Sequence, residues 1–492
     1  MTERHTSSGV TYRQVGKEYF EQRGLRRYAK VWSLWALGVG AVISGHYSGW
    51  NLGLAHGFGP MVVALFVIAA MYWGLVFSLA EMSPALPHTG AAYSFARSAM
   101  GPWGGMVTGL AESIEYILTP AVIVYFIGTY MSAIFETPEA AQPLWWVGGY
   151  LFFLVLNLLG VELSFRISVV VTLGALAVLA VFWVSAIPHF DLGHWALNDG
   201  PWFPNGAGAV FATLPFAVWL FLAIEQLPLA AEESADPKRD MPKGLILGMA
   251  TLMVSALLTV FLNSGIGSPD ADKMHGAATL AQSSEPLLDG FRVIYGSGAA
   301  KTLAFLAVIG LIASFHTIIY AYGRQIYSLA RAGYYLEFMS LTSGRHKVPH
   351  MALFAGTVLG LATMLVVWFT AGEKERGAVI GGTLLNMAVF GAMISYAMQG
   401  LSFILLRRNL PNIARPYVSP LGSFGAAVSI AIALVTLYCQ LGDPVYRHGV
   451  YAVAVFYVLG LAYFALIGRH RLILSPEEEF AMASREKGRA LQ

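Results

Sequence analysis

Residues 43–49 read Ile43-Ser44-Gly45-His46-Tyr47-Ser48-Gly49, a polar, glycine-bearing run inside an otherwise apolar stretch over 31–56. A membrane-spanning helix needs roughly 20 mostly apolar residues, so 31–56 is long enough to be one. Gly38, Gly40, Gly45, Gly49 and Gly53 punctuate it. Glycines alone would serve close helix packing, but that does not account for a Ser-Gly-His run in hydrocarbon. Backbone that leaves the helical pattern at membrane depth is tolerated only where it is buried in protein or lines a wet cavity. The run therefore predicts a broken helix built around a site. A second interruption lies in 208–231, where Pro215 and Pro228 flank Phe221-Leu222-Ala223-Ile224-Glu225. Paired interruptions in corresponding helices of two five-helix halves mark the binding site of a secondary transporter.

The rest of the chain agrees with a membrane reading. Of 492 residues 57% are hydrophobic and 12% charged, with mean hydropathy +0.61, about half the charge of a soluble domain. This excludes a soluble multidomain protein, and apolar dominance with a single cysteine, Cys439, excludes disorder and a disulfide scaffold. A net charge of +2 argues against nucleic acid as a partner. Twelve stretches qualify as spans, near 31–56, 61–86, 103–134, 144–161, 166–187, 208–231, 244–267, 298–330, 350–371, 378–406, 419–440 and 448–468. With the N-terminus inside, 24 of the 30 Lys and Arg fall on the inner side and six on the outer, the asymmetry of positive-inside sorting. The expected layout is an all-α membrane protein with both termini cytoplasmic in a plasma (bacterial inner) membrane. Residues 1–30 form a basic tail without the apolar core of a cleavable signal peptide. Two five-helix repeats cover 31–187 and 208–406, two further helices 419–468, and a second tail 469–492. The long outer loop 268–297 carries Pro269, Asp270, Asp272, Glu285 and Asp289 around Pro286, Leu287 and Leu288, and is expected to hold a short helix over the outer entrance.

Three further motifs, taken in order, carry a family resemblance. They are Glu81 followed by Pro87-His88-Thr89-Gly90-Ala91-Ala92-Tyr93, leading to Gly101-Pro102-Trp103-Gly104; Ala231-Glu232-Glu233-x-x-x-Pro237-Lys238-Arg239-x-x-Pro242; and Gly323-Arg324-Gln325-Ile326-Tyr327-Ser328-Leu329-Ala330-Arg331-Ala332-Gly333. Across most of the first ten helices the chain resembles the amino acid–polyamine–organocation permeases. Within them it is most similar to bacterial ethanolamine permeases, on Ser44-Gly45-His46-Tyr47-Ser48-Gly49-Trp50-Asn51, Glu112-Ser113-Ile114-Glu115-Tyr116 and Tyr322-Gly323-Arg324-Gln325. The resemblance implies a 5+5 inverted repeat of the leucine-transporter type, with helices one and six broken, moving a small solute by alternating access. Two departures bear on the substrate. Amino-acid-carrying relatives have Gly-Ser-Gly-Ile-Phe where this chain has Ile43-Ser44-Gly45-His46-Tyr47, and a glycine where it has Ala223. A less permissive backbone favours a substrate with an ammonium and no acid group.

Ionisable residues at membrane depth cost at least ~2.5 kcal/mol each and mark function. Glu112 lies some ~14 Å into the third span at 1.5 Å per residue, and Glu115 follows on the same face. With Tyr116 they could hold an ammonium, by a charge-assisted hydrogen bond and a cation–π contact, or one could carry a coupling proton. Glu225 sits in the second interruption, where relatives commonly have an acid, and serves either substrate or helix break. Ser44, Gly45, His46, Tyr47, Trp219 and Phe221 complete the expected substrate pocket, with His46 offered to a substrate hydroxyl. His316, Ser314 and Thr317 lie where helix eight borders the ion region of this fold, and either a proton or sodium fits the sequence. Helix five has no lysine after Arg166, so the lysine that replaces sodium in some relatives is absent. Glu232, Glu233, Lys238, Arg239, Arg324 and Arg331 are expected to form an ion-pair network closing the inner gate, or else a solvated basic face.

No organic cofactor and no metal is expected. An intramembrane enzyme would need a nucleophile with its base or a His-Glu-x-x-His cluster, which the twelve histidines do not provide. A divalent-metal carrier could use His46, Glu112 and His316, but its Asp-Pro-Gly-Asn and Met-Pro-His runs are missing. The nearest rival is a permease for a cationic or gamma-amino acid.

Overall fold

A computed structural model describes residues 3–5, 9–13, 15–269, 274–344, 346–370, 378–442 and 447–474. Asp270, Asp272, Lys273, Arg345, Lys374, Arg376 and the tail beyond 474, all used in the sequence reading, lie outside the described residues. Among the described residues eleven helices are long and apolar enough to cross a membrane, and the shorter apolar stretch Val31–His46 precedes them. They follow the expected spans in order, the second being Phe58–Ala85, the third Pro102–Phe135, the fourth Gln142–Leu158, the fifth Val161–Ala186 and the seventh Pro237–Ser264. The eighth, Pro286–Arg331, starts earlier than expected because it absorbs part of the outer loop and bends where Gly296 leaves the helical conformation. His350–Thr370, Ala378–Asn409, Gly422–Gly442 and Arg447–Leu466 complete the set.

The third, sixth, eighth and tenth spans are mostly buried, and the fourth, fifth, eleventh and twelfth turn most of their surface outward. Exposed positions on the outer helices are apolar (Phe152, Val170, Phe424, Tyr438, Leu466), whereas Glu112, Glu115, Glu225, His46 and His316 are buried. An apolar exterior over a polar interior is the arrangement a lipid solvent selects. The third span packs against the eighth and the tenth, which places its carboxyl groups at the centre.

Both interruptions are present. The first helix ends at Val42, continues as a tighter turn over Ile43–His46, and reverses at Gly49 (φ +93°) before a second tight stretch, Trp50–His56. The sixth runs as a helix over Ala209–Trp219, passes through Ala223 in the left-handed conformation (φ +85°), and resumes as a tight turn over Ile224–Glu233. The glycine that relatives place there is therefore not needed for the break. Buried backbone groups freed by the breaks must find partners. Ser314 Oγ accepts from the Ser44 amide at 2.8 Å and donates to the Gly40 carbonyl at 2.7 Å. The Tyr130 hydroxyl reaches the Tyr47 carbonyl, and the Trp219 indole the Ser48 carbonyl, each at 3.0 Å. The two breaks touch: a Cβ added to Gly45 would lie 2.3 Å from the Trp219 carbonyl oxygen.

At one end of the bundle a short helix, Gly276–Leu280, lies against the second half of the broken first span, where Asn51 Nδ2 donates to the Leu280 and Ser283 carbonyls at 2.7 and 2.9 Å. At the opposite end the tails form a small sheet that the all-α expectation did not contain. Strand β1 (Glu3–His5) pairs antiparallel with β2 (Thr11–Arg13), which pairs parallel with β3 (Leu472–Ile473).

Candidate functional site

Three carboxyl groups meet in the buried centre. Glu112 and Glu115 project from one face of the third span, and Glu225 comes from the first turn after the Ala223 break. Each has one oxygen held by the protein. Glu112 accepts from the Tyr93 amide at 3.3 Å, Glu115 from the Tyr396 hydroxyl at 3.2 Å, and Glu225 from the Ala223 amide at 3.1 Å. The other oxygen of each accepts from no amide, amine or alcohol of the protein, and the Tyr116 hydroxyl beside them is likewise unpartnered. The Glu115 and Glu225 carboxyl groups face one another within hydrogen-bonding reach. Among the described residues no Lys, Arg or His pairs with any of the three, and no group of His, Cys, Asp or Glu is placed to hold a metal ion.

Aromatic residues line the same cluster. The Tyr72 and Tyr396 hydroxyls are 3.1 Å apart, and the Phe221 ring lies 5.4 Å from that of Tyr72. Sequence reasoning found Phe221 and missed Tyr72 and Tyr396. Nothing in Met71-Tyr72-Trp73 or Ser395-Tyr396-Ala397 distinguishes these tyrosines from ordinary residues of an apolar span.

Other expected pocket residues hold the breaks together instead. Ser255 Oγ donates to His46 Nδ1 at 2.6 Å, and His46 Nε2–H donates to the Leu220 carbonyl at 3.0 Å. Both ring nitrogens are spent on protein, so in this conformation His46 has none to offer a substrate hydroxyl. Ser44 is joined to Ser314, Gly45 packs on Trp219, and the Tyr47 hydroxyl donates to the Ala175 carbonyl at 2.7 Å. Trp219 faces Gly49 and Ser48 rather than the carboxyl groups. His316 is engaged as fully as His46. Asn157 Nδ2 lies 3.2 Å from its Nδ1, and its Nε2 lies 3.1 Å from Ser164 Oγ. Thr317 Oγ1 donates to the Ala313 carbonyl of its own helix at 2.9 Å.

Glu232, Glu233, Arg324 and Arg331, expected at an inner gate, are brought together as two pairs. Arg331 grips Glu232 through two contacts of 2.5 and 2.9 Å, and its Nη2 lies 3.0 Å from His88 Nε2. Arg324 donates to Glu233 at 2.9 Å, and the Tyr320 hydroxyl donates to the other Glu233 oxygen. Lys238 and Arg239 are not part of this network: both are exposed, because they begin the seventh span on its outer face, and neither makes an ion pair among the described residues. Glu81 has a role the sequence did not suggest. It accepts from Arg407 at 2.6 and 2.9 Å and from the Ser419 amide at 2.8 Å, tying the second span to the turn after the tenth.

Broken first and sixth spans around a buried polar centre, closed at one end by ion pairs, agree with what the comparisons find. The family model described as Amino acid permease matches residues 30–462. The chain belongs to the amino acid permease family. Three similar permease-type proteins illustrate its breadth. A branched-chain amino acid permease of Bacillus subtilis is 25% identical over 85% of this chain and 88% of its own length. A probable GABA permease of Pseudomonas aeruginosa is 26% identical over 81% and 83%. A methylthioribose transporter of Bacillus subtilis is 22% identical over 86% and 90%. These relatives are named as permeases or transporters, and the substrates in their names differ widely.

Proposed function

We propose that this permease imports ethanolamine, or a close small primary amine, by alternating access between the broken helices and the surrounding scaffold. The observation that carries the reading is the set of three buried carboxyl groups, none of which forms an ion pair with a Lys, Arg or His among the described residues. An unpaired buried charge costs several kcal/mol, so a site of this kind is completed by a cation from outside. The amides of the first break support the same reading. Ser44 N–H is taken by Ser314, Tyr47 and Ser48 N–H by the Ser44 carbonyl, and Gly49 N–H by Asn51. A substrate carboxylate docking there would have to displace those bonds.

The second reading is a permease for a cationic or gamma-amino acid, favoured by the likeness to a probable GABA permease. Such a substrate keeps the ammonium contact but brings an acid group into a site rich in acceptors. The carrier works without an organic cofactor, surrounded by lipid, with the Glu232–Arg331 and Glu233–Arg324 pairs on the cytoplasmic side of the inner membrane. The excess of Lys and Arg on that side supports the orientation. The coupling ion is a proton or sodium, with Glu112, Glu115, His316, Ser314 and Thr317 as its candidate residues.

The test is uptake of labelled ethanolamine into proteoliposomes, challenged with unlabelled ethanolamine, GABA, arginine and alanine. Saturable uptake blocked by ethanolamine and not by the amino acids is expected. Uptake of an amino acid, with ethanolamine neither taken up nor competing, would replace the amine reading by the second one.

A further inference from the structure

We propose that an apolar cavity opening on the lipid-facing surface binds an anionic phospholipid of the surrounding bilayer. One acyl chain fills the cavity, and the headgroup meets the basic turn that follows the twelfth span. Such binding is independent of what the carrier transports. The cavity encloses about 380 Å³ between the third span, the end of the eighth with the turn Glu337–Ser340, the ninth and the twelfth. That size lies within the ~300–1,000 Å³ typical of small-ligand sites. Leu336, Leu359, Phe456 and Leu459 belong to its wall and are exposed. In a bilayer, a mouth framed by exposed apolar side chains opens on hydrocarbon rather than on water. Small residues give the cavity its depth. Ala355 and Gly460 lie in the wall, and Gly460 approaches the third span so closely that a Cβ would meet Leu110 Cδ2 at 2.5 Å.

The wall suits a hydrocarbon chain rather than a polar solute. Three of its side chains carry a hydroxyl, those of Ser113, Tyr335 and Tyr463. Ser113 and Tyr335 bond to each other at 2.7 Å, and Gln325 Nε2 donates to Ser113 Oγ at 3.0 Å. Tyr463 is half-buried and marks the end at which the surroundings turn basic. The turn Gly468–His470 packs there, since a Cβ added to Gly468 would lie 3.3 Å from the Tyr463 ring. It brings Arg469 and His470 to that end, with Arg471 next in the chain. Arg469 Nε donates to His470 Nε2 at 3.2 Å, and neither Arg469 nor Arg471 makes an ion pair among the described residues. Glu337, in the turn that also carries Met339 of the wall, is taken by Arg13 at 2.5 and 3.2 Å. An apolar slot that ends at unpaired arginines is complementary to an anionic amphiphile, because basic residues at a membrane surface draw anionic headgroups. A zwitterionic lipid would fill the slot and leave the arginines without a counter-charge. Ile326 and Tyr335, both in the wall, flank Arg331 in the chain, so the lipid rests on the segment that carries the Arg331–Glu232 pair.

The test is native mass spectrometry of the detergent-purified full-length chain, titrated with phosphatidylglycerol and with phosphatidylcholine of identical acyl chains. Phosphatidylglycerol is expected to bind about tenfold more tightly or better, with one lipid retained per chain. Two changes probe the two ends of the site. Ala355→Phe puts a ring into the cavity and is expected to weaken both lipids about tenfold. Arg469→Gln combined with Arg471→Gln is expected to bring phosphatidylglycerol down to the level of phosphatidylcholine and to leave the latter unchanged. This second variant alters only the surface, so the outcome stays readable if the larger side chain prevents folding. Val358→Phe, on the exposed face of the ninth span and outside the cavity, is expected to change neither lipid. Equal binding of the two lipids, or phosphatidylglycerol binding unaltered in both variants, would overturn the site. Dimers that Ala355→Phe converts to single chains would put a second copy in the cavity instead. Tighter lipid binding by a chain lacking residues 475–492 would put the chain's own end there, and would equally overturn the lipid as its occupant.

Discussion

At the scale of single residues, Glu115 and Glu225 are the centre of the argument, because their carboxyl groups face one another in the buried interior with no Lys, Arg or His paired to them among the described residues. Replacing either by Gln keeps the volume and removes a charge. Ethanolamine uptake is expected to fall about 10- to 100-fold, the size of one hydrogen bond to a charged group, while the detergent-purified protein stays monodisperse. Unchanged uptake in both variants would remove these residues from the site. A second prediction concerns Glu285, which lies between the Gly276–Leu280 helix and the start of the eighth span. Burial and the neighbouring Asp289 push its carboxyl up to about 7 from the ordinary 4.5, against the pull of Arg292 and a hydrogen bond from Thr129. The packed segment thus binds a proton more readily than the opened one, so its packing is favoured below pH 7 and weakens as pH rises through that value. Protection of the amides of residues 276–292, taken as exchange rate relative to the intrinsic rate at each pH, is expected to fall between about pH 4.5 and 7, and Glu285→Gln to remove that fall. The acidic residues were legible in the sequence because a carboxyl inside an apolar span is expensive. Tyr72 and Tyr396 were not, because tyrosine suits an apolar span whether or not its hydroxyl serves a site. His46 was misread for a related reason: its partner Ser255 is far away in sequence, on the seventh span.

At the scale of elements, both breaks were legible and the way they interlock was not. A polar run and paired prolines announce where helices stop, but only the folded chain shows the Trp219 carbonyl against Gly45. Gly45→Ala would place a Cβ 2.3 Å from that oxygen, closer than real contacts allow, and separating two packed backbones costs about 1–3 kcal/mol. A lowered melting temperature of the purified carrier is expected, together with lost uptake; a fully stable, active Gly45→Ala protein would mean the breaks do not press on each other. Ala223 gives the opposite case. A non-glycine residue in the left-handed region is held at a cost of about 1–2 kcal/mol, so Ala223→Gly relieves strain but loosens the unfolded chain by up to about 1 kcal/mol. The net effect expected is a small gain in stability, without the collapse that Gly45→Ala brings. The replacement of the relatives' glycine by alanine is thus tolerated by the break, and the substrate argument rests more firmly on the carboxyl groups than on backbone permissiveness.

At the scale of the whole molecule, the end that carries the proposed gate is tied to both tails, a feature no motif announced because its contacts join opposite ends of the chain. The Ile473 amide donates to the Ala332 carbonyl at 3.0 Å, and Arg97 Nη2 to the Ile473 carbonyl at 3.1 Å. Gly333, at φ +82°, lies so close to Arg471 that an added Cβ would meet its carbonyl oxygen at 2.2 Å. From the N-terminal side the Tyr19 hydroxyl donates to the Arg331 carbonyl at 2.9 Å, and Arg13 pairs with Glu337 at 2.5 and 3.2 Å. The end of the eighth span that carries Arg331 is therefore fixed to the first residues of the chain and to β3 at once. Opening at this end requires the Glu232–Arg331 and Glu233–Arg324 pairs to part, and the strands add resistance to the same movement. Removing residues 469–492 leaves the ion pairs in place and takes away β3, so it tests the tails separately from the pairs. In a Cys439→Ser background, a reporter introduced by Ser328→Cys, buried beside Tyr93 at the gate, is expected to react faster with a membrane-impermeant thiol reagent in the truncated protein. Arg331→Ala is expected to raise the rate in the full-length chain, and combining the two changes should give less than the product of their effects, since both loosen one element. If truncation leaves the labelling rate unaltered while Arg331→Ala raises it, the ion pairs alone hold the gate and the sheet only orders the tails.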